Sequence, residues 1–115
     1  MKSLALIVVS LLWASIGHTQ ALTTAQAKAH EGENGTVCGV IAGERTASSS
    51  RGAPTFINLD SPYPKQVFTI LVWGNDRKNI GELPSTGSRV CATGLIKDYG
   101  GVPEIEVKSK EQLSH

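Results

Sequence analysis

The segment Gln66-Val67-Phe68-Thr69-Ile70-Leu71-Val72-Trp73 constrains this chain more than any other. It is rich in β-branched and aromatic residues and is bounded by Pro64 and Gly74, so it reads as a strand. Val67, Thr69, Leu71 and Trp73 fall on one face and Phe68, Ile70 and Val72 on the other. A strand apolar on both faces must be covered on both, as in a sheet that curls back on itself.

Strands of similar character flank it. Thr36 to Arg45 is rich in β-branched residues, Pro54 to Asp60 alternates, Arg89 to Lys97 forms a fourth strand and Val102 to Val107 a fifth. Within Pro54 to Asp60, Ile57 and Leu59 share one parity, which places them toward the core and Phe56 on the outer face. Thr46 to Gly52 is a Ser, Ala and Gly loop that contains Arg51, and Ser61-Pro62-Tyr63-Pro64 and Tyr99-Gly100-Gly101 are turns.

Two stretches favour helix. Thr23-Thr24 followed by Ala25 to Glu31 predicts a short N-terminal helix with a threonine N-cap and Gly32 as its stop. Asn75 to Leu83 predicts one or two helical turns, with Asp76 capping them and Arg77 reaching a carboxylate. The order is then three strands, a short helix and two strands. It fits an all-β, five-stranded barrel of the oligonucleotide/oligosaccharide-binding (OB) type, which commonly carries its helix between strands three and four. Another small barrel or sandwich is the competing architecture.

The N-terminus reads differently. Met1-Lys2, an apolar run from Leu4 to Ala14 and Thr19-Gln20-Ala21 follow the order of a secretory signal. The expected organisation is a signal peptide over 1–21 and a single domain over 22–115, with a periplasmic or secreted address and no membrane span after cleavage. The rival reading is a retained anchor, for which the apolar run is short.

In an oxidising compartment, Cys38 and Cys91 read as a disulfide. The first barrel strand pairs with the fourth, and the matching Thr36-Val37-Cys38-Gly39 and Arg89-Val90-Cys91-Ala92 contexts suggest equivalent, inward positions. Without Lys2 the chain carries 10 basic and 10 acidic residues. Neutrality argues against tight phosphate binding unless the cations cluster.

Catalysis finds little support. Outside the signal the histidines are His30 and His115, near the two ends, and no nucleophile-and-base pattern or metal-ligand spacing occurs. The expectation is a binding module with no cofactor and no metal.

Several segments carry a family resemblance: Thr36-Val37-Cys38-Gly39, Pro54 to Asp60, Tyr63-Pro64, Phe68-Thr69, Trp73 to Arg77, Gly87, Cys91 to Gly94 and Tyr99 to Ile105. Together they resemble small secreted bacterial OB-fold proteins described as nucleic-acid-binding-like. Phe56-Ile57-Asn58-Leu59-Asp60 is also similar to the second strand of OB domains that bind tRNA anticodons, where a phenylalanine at the position of Phe56 stacks on a base.

An OB barrel binds across its second and third strands, and single-stranded nucleic acid requires aromatics for stacking and cations for phosphates. The candidates are Phe56, Trp73 and Tyr99, with Tyr63 in a loop, for stacking. Arg51, Lys65, Arg77 and Lys97 are candidates for phosphates, and Asn58 for a base edge. Phe56 and Trp73 have the plainer alternative of plugging the barrel ends, and Asp76-Arg77 that of a cap with a local ion pair. The expected partner is single-stranded nucleic acid or an oligonucleotide, the alternative an envelope protein or glycan. Oligomeric state is left open.

Overall fold

A computed structural model describes residues 20–115. The expected export signal falls almost wholly on residues 1–19, outside the described residues. Among the described residues no helix is long and apolar enough to cross a membrane.

The structure is mostly β, with seven strands and two short helices. In chain order they are β1 (Leu22–Thr23), α1 (Thr24–Ala27), β2 (Asn34–Thr46), β3 (Thr55–Leu59), β4 (Phe68–Val72), α2 (Arg77–Ile80), β5 (Arg89–Tyr99), β6 (Val102–Glu106) and β7 (Leu113–Ser114). Five strands match those read from the sequence. The two-residue strands β1 and β7 add to that expectation: β1 lies parallel to the start of β2, and β7 pairs with β5 at Cys91 and Ala92.

The pairings of the five longer strands run β2–β3–β4–β6–β5 and return to β2. All are antiparallel except β4–β6. The strands close a ring because β2 is long enough to serve twice. Its first half, Asn34 to Val40, pairs with β5, and its second half, Ile41 to Thr46, pairs with β3.

Between those halves the register shifts at Ile41/Gly43. An extra residue in one strand reverses which parity faces inward. Val37 and Ile41 are buried in the core, whereas Arg45, past the bulge, pairs with Phe56 on the outer face.

The core collects one parity from each strand: Val37 and Ile41, Ile57 and Leu59, Phe68, Ile70 and Val72, Val90, Ala92 and Ile96, and Ile105 with Val107. Ile80 of α2 and Ala27 of α1 join it. β4 is buried along its whole length, as its two apolar faces require.

Cys38 and Cys91 form the expected disulfide, and they stand directly opposite each other in the β2–β5 ladder with Cα atoms 4.0 Å apart. Their predicted inward orientation is corrected. Neighbouring Val37 and Ala92 are fully buried in the core, so alternation turns the cysteines to the outer face. There Thr36 and Thr93 also meet, Oγ1 to Oγ1 at 2.7 Å.

α1 and the strand ends are tied together by Asp60. Asp60 sits in the left-handed region at φ 64°, which aspartate tolerates better than most residues. One carboxylate oxygen accepts the Val40 N–H at 2.9 Å, and the other accepts the Thr24 hydroxyl. Gly39 lies under this contact: a Cβ there would come within 2.9 Å of Thr24 Cγ2 and 3.1 Å of both Asp60 oxygens.

Candidate functional site

The outer face of β3, β4, β6 and β5 is built by the same alternation that fills the core. With Ile57 and Leu59 inward, β3 turns Phe56 and Asn58 outward. In register with them lie Leu71 and Thr69 of β4, then Glu106 and Glu104 of β6. One row therefore reads Arg45, Phe56, Leu71, Glu106, and the next Asn58, Thr69, Glu104, Lys97.

Two adjoining hollows lie over these rows and share Arg45, Phe56, Tyr99 and Glu104 as walls. The first, of about 220 Å³, is completed by Asn58, Thr69 and Val102 and by Tyr63 and Gln66 of the turn before β4. The second, of about 260 Å³, extends under the 47–54 loop to Ser50, Arg51, Leu71 and Trp73. Together they make one groove. Each part is smaller than the roughly 300–1,000 Å³ of pockets that take drug-sized ligands.

Aromatic rings mark its floor and edges. Phe56 is half-buried on the floor, with the Arg45 guanidinium 5.7 Å from its ring centroid, within reach of a cation–π contact. Tyr99 and Tyr63 are 67 % and 75 % exposed, so their faces are open to a partner. Trp73 is half-buried and spends part of its ring on the protein itself. A Cβ on Gly52 would lie 2.8 Å from its indole Cε3, and Gly52, at φ 78°, carries the 47–54 loop past it. The Gly74 N–H donates to the Gly52 carbonyl at 2.8 Å, fixing the loop again.

The polar groups are unevenly partnered. Thr69 Oγ1 donates to Asn58 Oδ1 at 3.1 Å, and both residues are buried. Gln66 Oε1 is buried and accepts no hydrogen bond among the described residues. Glu104 is only 6 % exposed. Its burial pushes the carboxyl above the usual carboxylate range; Lys97 opposite pulls it down and Glu106 pushes it up further.

The structure brings Arg51, Phe56, Asn58, Trp73 and Tyr99 together on the groove. Lys65 is exposed in the neighbouring turn and lines neither hollow. Lys97 faces Glu104 across the β5–β6 ladder, but its Nζ is bound to Glu106 Oε2 at 3.3 Å.

Arg77 stands apart from the groove. It lines a third, open hollow with Glu44, Thr55 and Glu82, and Nη1 donates to Thr55 Oγ1 at 2.9 Å, not to a carboxylate as expected. The predicted Asp76 cap is also corrected: Asp76 precedes α2 but its side chain makes no capping bond. α1 does carry its threonine cap, with Thr23 and Gln26 forming a reciprocal capping box.

Arg45, Gln66, Thr69 and Glu104 are groove residues that the sequence reading missed. The bulge that redirects Arg45 has a signal in Gly43, since an isolated glycine inside a strand often marks a bulge. Glu104 stood within Val102 to Val107, and strand alternation alone could have marked it as outward.

No protein-family model matches the chain, and no curated protein matches it in sequence. Solved structures do. A Leishmania major Friedlin protein assigned as an aspartyl-tRNA synthetase superposes with a TM-score of 0.56 at 10% identity over 90% of this chain. The match takes in 22% of the synthetase, so the chain spans about a fifth of that protein's length. A lipoprotein of Klebsiella pneumoniae subsp. pneumoniae MGH 78578, assigned to nucleic-acid binding, superposes with a TM-score of 0.50 at 17% identity. That match covers 72% of this chain and 74% of the lipoprotein. At these identities the likeness is one of fold.

Proposed function

We propose that this chain is an extracytoplasmic OB-barrel binding module whose groove takes a short stretch of single-stranded nucleic acid. Several features support the barrel reading: the ring order, the parallel pairing of the third and fifth long strands, and the helix between the third and fourth. The groove also lies across the second and third long strands and is flanked by loops, where OB barrels bind. The disulfide suits an oxidising compartment.

One observation carries the ligand reading: Phe56, Tyr63 and Tyr99 surround a hollow with Arg45 and Arg51 at its side. Stacking platforms beside cations are what an unpaired strand requires. The fold neighbours support the same class, since one is assigned as a tRNA synthetase and the other to nucleic-acid binding.

A second reading, a neutral glycan or protein of the envelope, draws on the small number of cations. Two arginines line the groove, against a formally neutral domain. Fluorescence anisotropy of a labelled oligo-dT across a salt series separates the two. With two phosphates neutralised, log affinity falls against log salt with a slope of about −1.4. Absence of oligo-dT binding at low salt overturns the nucleic-acid reading, and salt-independent binding of a glycan supports the second.

A further inference from the structure

We propose that Glu104 is a proton-operated switch in the groove: its carboxyl admits an oligonucleotide when protonated and repels it when ionised. The proposal rests on the nucleic-acid reading of the same groove.

The geometry supports it on three counts. Glu104 lies at the junction of the two hollows and lines both, so a strand running along the groove crosses it. It is nearly inaccessible to solvent, so bulk water screens its charge poorly. And among the described residues it makes no salt bridge of its own: Glu106, two residues along on the same face, takes Lys97 Nζ at 3.3 Å and Lys108 Nζ at 3.8 Å.

The other groups around Glu104 come from every neighbouring element. β2 presents Arg45, the 47–54 loop Arg51 and the turn before β4 Tyr63, while β5 presents Lys97 and Tyr99 and β6 itself Glu106. β3 and β4 present the uncharged Phe56, Asn58, Thr69 and Leu71. Along the groove walls the ionised Glu104 is therefore the one carboxylate set against the two arginines. Protonation removes that negative charge from the groove walls and replaces it by a hydroxyl that can donate to a ligand oxygen.

The sign of the effect follows from linkage. Burial already raises the Glu104 carboxyl above its ordinary value in the free protein. A phosphodiester strand over it adds burial and negative charge, both of which raise it further. Binding then takes up a proton, so affinity grows as pH falls through the window between the free and bound values.

The test measures oligo-dT affinity by anisotropy from about pH 8 to about pH 5. Thymine gains or loses no proton in that range. The wild-type protein tightens about tenfold toward the acid end, the linkage of a one-unit rise on binding. Glu104→Gln, which resembles the protonated side chain, binds tightly throughout with a flat profile. Glu44→Gln, on the third hollow, keeps the wild-type slope. Carboxyl-carbon NMR of the wild-type protein gives a measurement that needs no variant: the Glu104 titration moves to higher pH when oligo-dT is added.

Failures of the two ideas are distinguishable. Binding whose pH slope survives in Glu104→Gln, or a Glu104 titration unmoved by saturating oligo-dT, overturns the switch and leaves the nucleic-acid reading standing. No binding at any pH overturns both.

Discussion

Two outer faces of the same ring have been treated in opposite ways. Along the β2–β5 seam the chain braces itself: β1 pairs beside β2, β7 pairs beside β5, and the disulfide joins the two central strands. Polar groups there find protein partners. Asp60 accepts from Thr24 and Val40, Thr36 meets Thr93, and Gln112 Nε2 donates to the Thr93 and Glu106 carbonyls at 3.0 and 3.1 Å. Over β3, β4 and β6 the outer face is instead a hollow, with an unpaired Gln66 oxygen, a buried acid and open tyrosines. Buried polar atoms in folded proteins are nearly always paired. Gln66 on the groove is one such exception, while the seam's polar groups named above are paired, so the braced side holds the fold and the hollow side adds less to it.

The sharpest way to break that division is to cut the seam. Replacing Cys38 and Cys91 together by alanine should lower unfolding free energy by about 2–4 kcal/mol, read as a shift of the urea midpoint. Oligo-dT affinity of the folded fraction should stay within twofold. A large loss of affinity at full folding would show that the two faces are coupled.

Phe56→Ala makes the converse cut. It should weaken oligo-dT binding by about 1–3 kcal/mol, the worth of one stacked base, and cost the fold less than this, because Phe56 is only half-buried. If urea unfolding instead records the 3–5 kcal/mol of a lost core phenylalanine, Phe56 belongs to the fold and the groove loses its floor.

The smallest effect is on stability alone. The Glu104 carboxyl is raised, first by burial, so the native state holds its proton to higher pH than the unfolded chain does. Stability from this group is therefore greatest below the ordinary carboxylate value of about 4.5. It is lost as pH rises through the raised native value and is constant above it. Glu104→Gln should thus melt higher than wild type at neutral pH, with the gap closing at about pH 4. An equal gap at both pH values would contradict the assignment.

Much of the seam was legible in the sequence, and less of the groove. Cysteine pairing, the helix stop at Gly32 and the inward parity of Ile57 and Leu59 depend on local pattern, and the structure agrees with each. Facing was harder. A bulge in β2 turns Arg45 outward, and parity on β2 has meaning only once the bulge is located. The facing of the cysteines has a different source: their shared context says that they match, not which side they match on, and Val37 and Ala92 take the core positions. Lys97 looked available as a phosphate contact until β6 brought Glu106 beside it. Arg77 and Asp76 sit in a turn whose direction is set by the packing of Ile80 into the core, which a capping pattern does not encode.

β6 has one more consequence, for the order in which the molecule is made. It is the strand that joins β4 to β5, and its Glu104 and Val102 line the groove. Until residues 102–106 have inserted between β4 and β5, the ring stays open and the groove lacks the wall that Val102 and Glu104 supply. Pairing them with β4 also spans more than thirty residues of chain, and contacts so distant in sequence form late and slowly. An incomplete chain therefore has no groove in which to hold a ligand, and binding competence arrives with the completed ring.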